Sequence, residues 1–270
     1  MSNDTSSIPD GEAFDPGPAP PEPVYALIIA WAGEEWARVG EVALFGTPGR
    51  AFSVGRDDDS PGGHRRARWM RQRPGENVVA PPLASGATSR DQLLVTARAH
   101  GLEVENVGKY PMLVDGARVE RAVLEEGALV QIQGQLLLRC IRRPPRMEAR
   151  RHLLEKYVGP FGEANAFGMV GESPEWWALL ERLAFAARIP AHVLIRGETG
   201  TGKESAAAAV HAMGPSARGP LVSMSVGNIA PTLLEDELFG HRKGYPQAGM
   251  DAKKGVVAEA NGGTLFLDEI

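Results

Sequence analysis

Gly197-Glu198-Thr199-Gly200-Thr201-Gly202-Lys203-Glu204 sits between an apolar run, Val193-Leu194-Ile195, and an alanine-rich one at 205–213. The first predicts a buried strand and the second a helix. A G-x-x-x-x-G-K loop in the order strand, loop, helix is the setting in which that spacing has chemical meaning. Glycines let the backbone curl so that successive N–H groups point inward at a polyphosphate. The start of the helix adds partial positive charge, and Lys203 reaches the outer phosphates. The loop therefore predicts a nucleoside triphosphate as ligand.

Downstream, an apolar run at 221–226 predicts a second strand and 231–239 a helix. Gly262-Gly263 introduces Thr264-Leu265-Phe266-Leu267-Asp268-Glu269. An apolar strand ending in two acids is the Walker B pattern. Asp268 is the candidate Mg²⁺ ligand, and Glu269 the candidate group that orients and polarises the attacking water. Upstream, Ser173-Pro174-Glu175 reads as a helix start, with a hydroxyl cap, proline in the first turn and an acid near the positive end. Trp176, Leu179, Leu180, Leu183 and Ala187 recur at helical spacing and predict its packed face.

These residues resemble one family. Gly197 to Glu204, Glu237-Leu238-Phe239-Gly240-His241 and the stretch from Gly262 to Ile270 look like the AAA+ domain of sigma-54-dependent transcriptional activators, from about Phe167 onward. Glu204 stands where a generic phosphate loop has Ser or Thr; this family commonly carries Glu there. The resemblance implies ATP and Mg²⁺ as cofactors, adenine near Val170 and Gly171, and Lys203 and Glu269 as catalytic residues. It also implies a ring homo-oligomer, and a sigma-54 contact loop at Gly244-Tyr245-Pro246-Gln247-Ala248-Gly249. That loop has lost most of the family's G-A-F-T-G-A signature: Pro246 replaces the aromatic and Gln247 the threonine. Ser225 stands where the family usually has an asparagine that restrains the catalytic glutamate. The sequence ends at Ile270, before the sensor, arginine fingers, helical lid and DNA-binding helix-turn-helix of that family. A fragment of a longer regulator is therefore expected, touching DNA only through that further domain. A parallel sheet cut there should leave apolar faces exposed.

The first half has a different texture. Short apolar runs at 25–31, 41–44, 51–54, 92–96, 102–105, 112–114, 129–132 and 135–141 alternate with turn signals such as Thr47-Pro48-Gly49 and Asp115-Gly116. That spacing predicts an all-β sandwich. It is interrupted at 57–85 by a stretch rich in Pro, Gly and Arg, too long for a hairpin connection. Within it, residues 64–73 form a basic run, read as a solvated loop with nucleic-acid contact as the alternative.

Phe52-Ser53-Val54-Gly55-Arg56, Ser89-Arg90-Asp91-Gln92-Leu93 and Val114-Asp115-Gly116 resemble the signatures of forkhead-associated (FHA) domains, which are sandwiches that bind phosphothreonine peptides. The resemblance implies Arg56, Ser89 and Arg90 as phosphate ligands; guanidinium forks and a hydroxyl suit that task. Gln92 replaces the histidine that closes the second signature, and residues 106–111 lack the usual third one.

The expected architecture is multidomain. A disordered acidic tail at 1–23 precedes an FHA-like β-sandwich at 24–143 with its insertion at 57–85. A linker at 144–166, ending in a basic helix by residue 157, leads to the amino-terminal part of an α/β P-loop (AAA+) domain at 167–270. A net charge of −5 argues against nonspecific coating of nucleic acid, and a single cysteine excludes a disulfide framework. No run is long enough to span a bilayer, so a soluble cytoplasmic protein is expected. Two functions compete. One is an ATP-binding, sigma-54-activator-type regulator, acting on sigma-54 RNA polymerase and carrying an FHA signalling module. The other is a phosphopeptide-binding or interaction scaffold whose altered AAA+ part senses nucleotide without remodelling sigma-54. Whether ATP is hydrolysed stays open at this point.

Overall fold

The computed structural model describes residues 21–58, 60–84, 86, 88–227, 229–245, 247 and 249–270. Most of the predicted tail, and Pro246 and Ala248 of the predicted contact loop, lie outside the described residues.

The first half forms two facing antiparallel sheets. Its strands are β1 (Val24–Ala32), β2 (Val42–Phe45), β3 (Ala51–Val54), β4 (Arg65–Arg66), β5 (Met70–Arg73), β6 (Glu76–Val79), β7 (Leu93–Arg98), β8 (Gly101–Asn106), β9 (Met112–Val114), β10 (Ala117–Arg118), β11 (Arg121–Leu124), β12 (Leu129–Ile132) and β13 (Leu136–Arg143). One sheet runs β10-β9-β12-β13-β1-β2-β5-β6 and the other β11-β8-β7-β3-β4; β3 and β4 alone are parallel. Alternate residues point inward, as the period of a half-buried strand requires. Leu27 and Ile29 of β1, Leu93, Val95 and Ala97 of β7, and Leu136, Leu138 and Cys140 of β13 meet in one core. Cys140 is fully buried; burial, and then the charge of Glu126, push its thiol up to about 12.

The insertion is an ordered excursion. Strands β5 and β6 form a hairpin around Pro74-Gly75 that widens the larger sheet. Gly75 has φ +86°, the left-handed backbone such a turn favours. The basic run is therefore not the solvated loop expected from sequence. Three of its arginines are engaged, Arg66 with Ser53 and Asp91, Arg71 with Glu41 and Arg73 with Glu172, while Arg65 and Arg68 are exposed.

Beyond Arg143 no basic helix forms; only a 3-10 turn at Glu155–Tyr157 interrupts the loop. Met147, Leu153, Tyr157 and Val158 of that loop pack into a second core with the helices that follow. Helix α1 (Pro174–Ala186) starts as predicted, with the Ser173 side chain accepting from Trp176 N at 3.1 Å. Its buried face is shifted, however. Trp177, Leu180, Leu183, Ala184 and Ala187 are buried, whereas Leu179 is exposed and Trp176 only half-buried. Choosing Trp177 rotates the stripe toward α2 (Lys203–Met213), whose Ala206 and Ala209 are small enough to let the two helices meet closely.

The remaining elements are β14 (Leu221–Ser225), α3 (Pro231–Phe239), β15 (Gly240–His241), β16 (Lys253–Lys254), α4 (Val256–Glu259) and β17 (Thr264–Asp268). Strands β14 and β17 pair in parallel, and β15 with β16 antiparallel. The run Val193-Leu194-Ile195 is not the buried strand expected from sequence. It has no strand assignment, and Val193 and Leu194 are 42 % and 70 % exposed. A strand exists through its ladder, and among the described residues none pairs with this run. Ile195 alone packs against the second core. Among the described residues no helix is long and apolar enough to cross a membrane.

Candidate functional site

The phosphate loop closes on itself. Gly200 and Gly202 have φ of +79° and +87°, which L side chains rarely adopt, and both face open space. Thr201 Oγ1 donates to Glu198 O at 2.8 Å. Lys203 Nζ donates to Glu198 O at 3.0 Å and Gly197 O at 3.3 Å, so the ammonium lies within the curve of the loop. Glu204 follows in the first turn of α2, where it precludes the hydroxyl ligand of a generic phosphate loop.

Asp268 ends β17 and Glu269 follows it. Ser225 and Asp268 are register partners on β14 and β17. Asp268 Oδ1 accepts from Glu269 N at 3.0 Å, and Ser225 Oγ donates to Glu269 Oε2 at 2.8 Å. The shorter serine thus still reaches the carboxylate. Glu269 has φ +56°, rare for a residue with a side chain. Loop and acids are tied together by His211 of α2, whose Nδ1 lies 2.9 Å from Thr264 Oγ1 on β17. Among the described residues no cluster of three or more His, Cys, Asp or Glu is arranged to hold a metal. A single hard carboxylate does suit Mg²⁺ that arrives with nucleotide phosphates and keeps its waters. Val170 is exposed. Gly171 lies against the Trp176 ring so closely that a Cβ would come within 2.6 Å of it.

The loop at 242–251 leaves the body between β15 and β16. At its base His241 Nδ1 lies 2.5 Å from Asp236 Oδ1, and Lys253 Nζ donates to Asp236 Oδ2 at 3.1 Å and to Glu237 Oε1 at 2.6 Å. Hydrogen bonds from His241 and then Lys253 hold the Asp236 carboxyl below its ordinary range. Gly244 N donates to Met250 O at 2.8 Å, Gln247 O accepts from Met250 N at 3.2 Å, Gly244 and Gly249 have positive φ, and Tyr245 is 69 % exposed. Among the described residues these bonds close a turn between β15 and β16.

Residues 169–270 match the Sigma-54 interaction domain family. The transcriptional regulatory protein ZraR of Escherichia coli O157:H7 is 44 % identical over 122 residues, 45 % of this chain and 27 % of the relative. NtrX from Brucella abortus, in a crystal structure with ADP, is 35 % identical, with TM-score 0.35; the match covers 39 % of this chain and 23 % of that one. The crystal structure of the FHA domain of CT664 from Chlamydia trachomatis is 18 % identical, with TM-score 0.30, over 43 % of this chain and 95 % of that one. The chain spans about a quarter of the length of the curated relatives it matches. Within the matched residues lie the phosphate loop, both acids and the loop at 242–251.

In the sandwich, the sequence stretches singled out around Arg56, Ser89 and Asn106 converge at one end. Arg56 N donates to Ser89 O at 3.1 Å. Gly55 presses on the Ser89–Arg90 backbone, where a Cβ would come within 2.0 Å of Arg90 O. Ser89 Oγ accepts from Lys109 N at 2.9 Å, and the exposed Arg90 lies beside it. The buried Arg56 Nε has no hydrogen-bond acceptor among the described residues. Gln92, 1 % exposed, joins the loops: Nε2 donates to Asn106 Oδ1 at 2.7 Å and Tyr110 O at 2.8 Å, and Oε1 accepts from Ser89 N at 3.3 Å. Sequence reasoning treated Gln92 as a departure and missed that it ties the site together. Its two amide functions were the available signal.

Beneath these loops Asp91 accepts from Ser53 Oγ and, at 2.9 Å, from Gly62 N; Arg66 lies 3.4 Å away. Burial alone would raise the Asp91 carboxyl, but the bonds from Ser53, Gly62 and Ser60 and the Arg66 charge outweigh it and hold the group below 3.8. A carboxyl depressed in the folded state contributes stability that is present above its unfolded value and lost as pH falls through the folded one. Asp91→Asn should therefore destabilise the sandwich at pH 7. The gap to wild type should close progressively as pH drops below 3.8. Urea midpoints across pH check this; a gap independent of pH would count against it.

Proposed function

We propose that this chain is the ATP-binding portion of a sigma-54-activator-type transcriptional regulator, fused to an FHA-like signalling module, with the division between them at 144–166. The observation that carries the proposal is the Ser225–Glu269–Asp268 arrangement on the strand pair, tied through His211 to the helix that Lys203 opens. Lys203 would leave the carbonyls of Gly197 and Glu198 for the outer phosphates. Backbone N–H groups of residues 197–204 would cradle the rest, and Val170 and Gly171 would border adenine. Asp268 would hold Mg²⁺ directly or through water. When bound, that cation neutralises phosphate charge; Glu269 orients water, and Ser225 holds its carboxylate until nucleotide and neighbour are placed. Hydrolysis, ring assembly and remodelling of the sigma-54 polymerase would be the work of such a regulator. There Tyr245, exposed at the hairpin tip, supplies the aromatic contact that position 246 has lost. Arg56, Ser89 and Arg90 would grip a phosphothreonine; Arg56 Nε makes no hydrogen bond and would exchange its 3.8 Å ion pair with Asp57 for the phosphate.

Calorimetric titration with ATP, with and without Mg²⁺, tests the core of this reading. Saturable binding tightened by the cation is expected. A flat titration under both conditions would sink it.

A further inference from the structure

We propose that Arg73, on the sandwich's β5–β6 hairpin, is a positioning residue for the adenine side of the nucleotide site. It acts by clamping Glu172, the residue after Val170 and Gly171. The proposal rests on the nucleotide reading above.

Arg73 and Glu172 are 99 positions apart in sequence, yet they form a two-pronged pair. Arg73 Nε donates to Glu172 Oε2 at 3.1 Å and Nη2 to Oε1 at 2.5 Å, while Nη1 donates to Gly159 O at 2.9 Å. The guanidinium lies 5.5 Å from the Phe161 ring centroid and 5.3 Å from that of Trp177. Both side chains are largely buried, with 18 % of Arg73 and 10 % of Glu172 exposed. Glu172 is held from other directions too. Gly162 N donates to Oε1 at 2.9 Å, and Arg143 Nη2 donates to the Glu172 carbonyl at 2.6 Å. Arg143 is itself fixed by Gln72, whose amide donates to Pro144 O at 2.8 Å. Neighbours on one strand, Gln72 and Arg73, therefore hold the main chain and the side chain of the same glutamate.

The grip reaches the site by two routes. One is covalent: Glu172 directly follows Gly171, which has no room to shift toward the Trp176 ring. The other runs through Trp177, which packs in one cluster with Ala206 and Ala209 of the helix opened by Lys203. A bidentate, mostly buried ion pair fixes geometry better than a surface pair does, and removing one partner leaves the other buried and uncompensated. Without Arg73, the Val170–Glu172 backbone loses its fixed placement, and adenine meets a border that must be ordered on binding. Triphosphate contacts at the Lys203 loop remain.

The test compares ATP with inorganic tripolyphosphate, which has no adenine, on the whole chain. Arg73→Ala should weaken ATP about tenfold, the middle of the usual range for coupling between sites, and leave tripolyphosphate within about twofold. Glu172→Gln should do the same, and the double variant should be no worse than either single one, as expected for residues acting as a unit. Arg73→Lys, which keeps charge and stem but not the fork, should fall between, and it carries the test if the alanine variant does not fold. ATP affinity unchanged in a variant with a native melt would overturn the proposal. So would equal losses for ATP and tripolyphosphate, the mark of general loosening. Absence of ATP binding in wild type would overturn the nucleotide reading and this proposal with it, and it would be seen before any variant is made.

Discussion

Lys203→Ala should weaken ATP on the order of a hundredfold and leave the melting curve of the chain unchanged. The ammonium is positioned at the start of α2 inside the curve of the loop, within hydrogen-bond distance of two carbonyl oxygens. Those carbonyls compete with phosphate, but a phosphate oxygen carries charge and a carbonyl does not. Two charge-assisted hydrogen bonds to phosphate, at about 1.5 kcal/mol each, make about 3 kcal/mol, or roughly a hundredfold in Kd. Alanine is the best helix former, so α2 tolerates the change. The loop keeps its shape through the Thr201–Glu198 bond. Titration of wild type and variant under identical salt reads the ratio. Equal affinities would mean that the triphosphate does not lie along residues 197–204.

The second large effect falls on stability. Gln92→Ala should lower the unfolding free energy of the sandwich by about 3 kcal/mol. Asn106 Oδ1 and Ser89 N lose the Gln92 partner at once, and Tyr110 O keeps only its bond from Asn106 Nδ2 at 3.1 Å. Packing is lost as well, because the Gln92 amide fills the space beside Gly108, where a Cβ would sit 2.4 Å from Oε1. Backbone bonds from Val107 N and Gly108 N to Gln92 O survive, so the loops should loosen without unravelling. Urea unfolding gives the number. A loss below about 1 kcal/mol, that of an ordinary hydrogen bond, would show that the loops hold without this bridge.

All eight strands expected from the apolar runs are present, within a residue or two at their ends. Burial alternates along β7, β12 and most of β13, while β2 and β9 are legible because they are apolar throughout. The missed strands are those whose residues do not advertise an inward face. Strand β5 reads Met-Arg-Gln-Arg and buries only Gln72 fully; edge strand β11 buries only Leu124. Their stability comes from partners remote in sequence, to which a local pattern is blind. The error on Val193-Leu194-Ile195 has the opposite origin. The run has strand-like residues, but a ladder needs a neighbour.

In the candidate nucleotide site the loop glycines, Lys203, Asp268 and Glu269 were legible because their chemistry constrains residue type and spacing together. So was the Ser225 position, though only the structure shows its hydroxyl reaching Glu269. Arg73 was legible as a charge and not as a contact. Nothing in residues 64–73 says that one arginine faces Glu172 while Arg66 turns to Asp91. That choice is made by the topology, which puts Arg66 on β4 of the smaller sheet and Arg73 on the β5–β6 hairpin of the larger one.

The lone thiol of Cys140 has a practical corollary. It lies on β13, between β12 and β1 in the larger sheet, and its acidity is suppressed to about 12. Thiol reagents consume thiolate, so labelling must wait until those strands part. The rate of modification is then a built-in clock for opening of the sandwich, since the second half carries no cysteine. Run with and without ATP, the clock would time how strongly a ligand on one half steadies the other, with no dye or tag introduced.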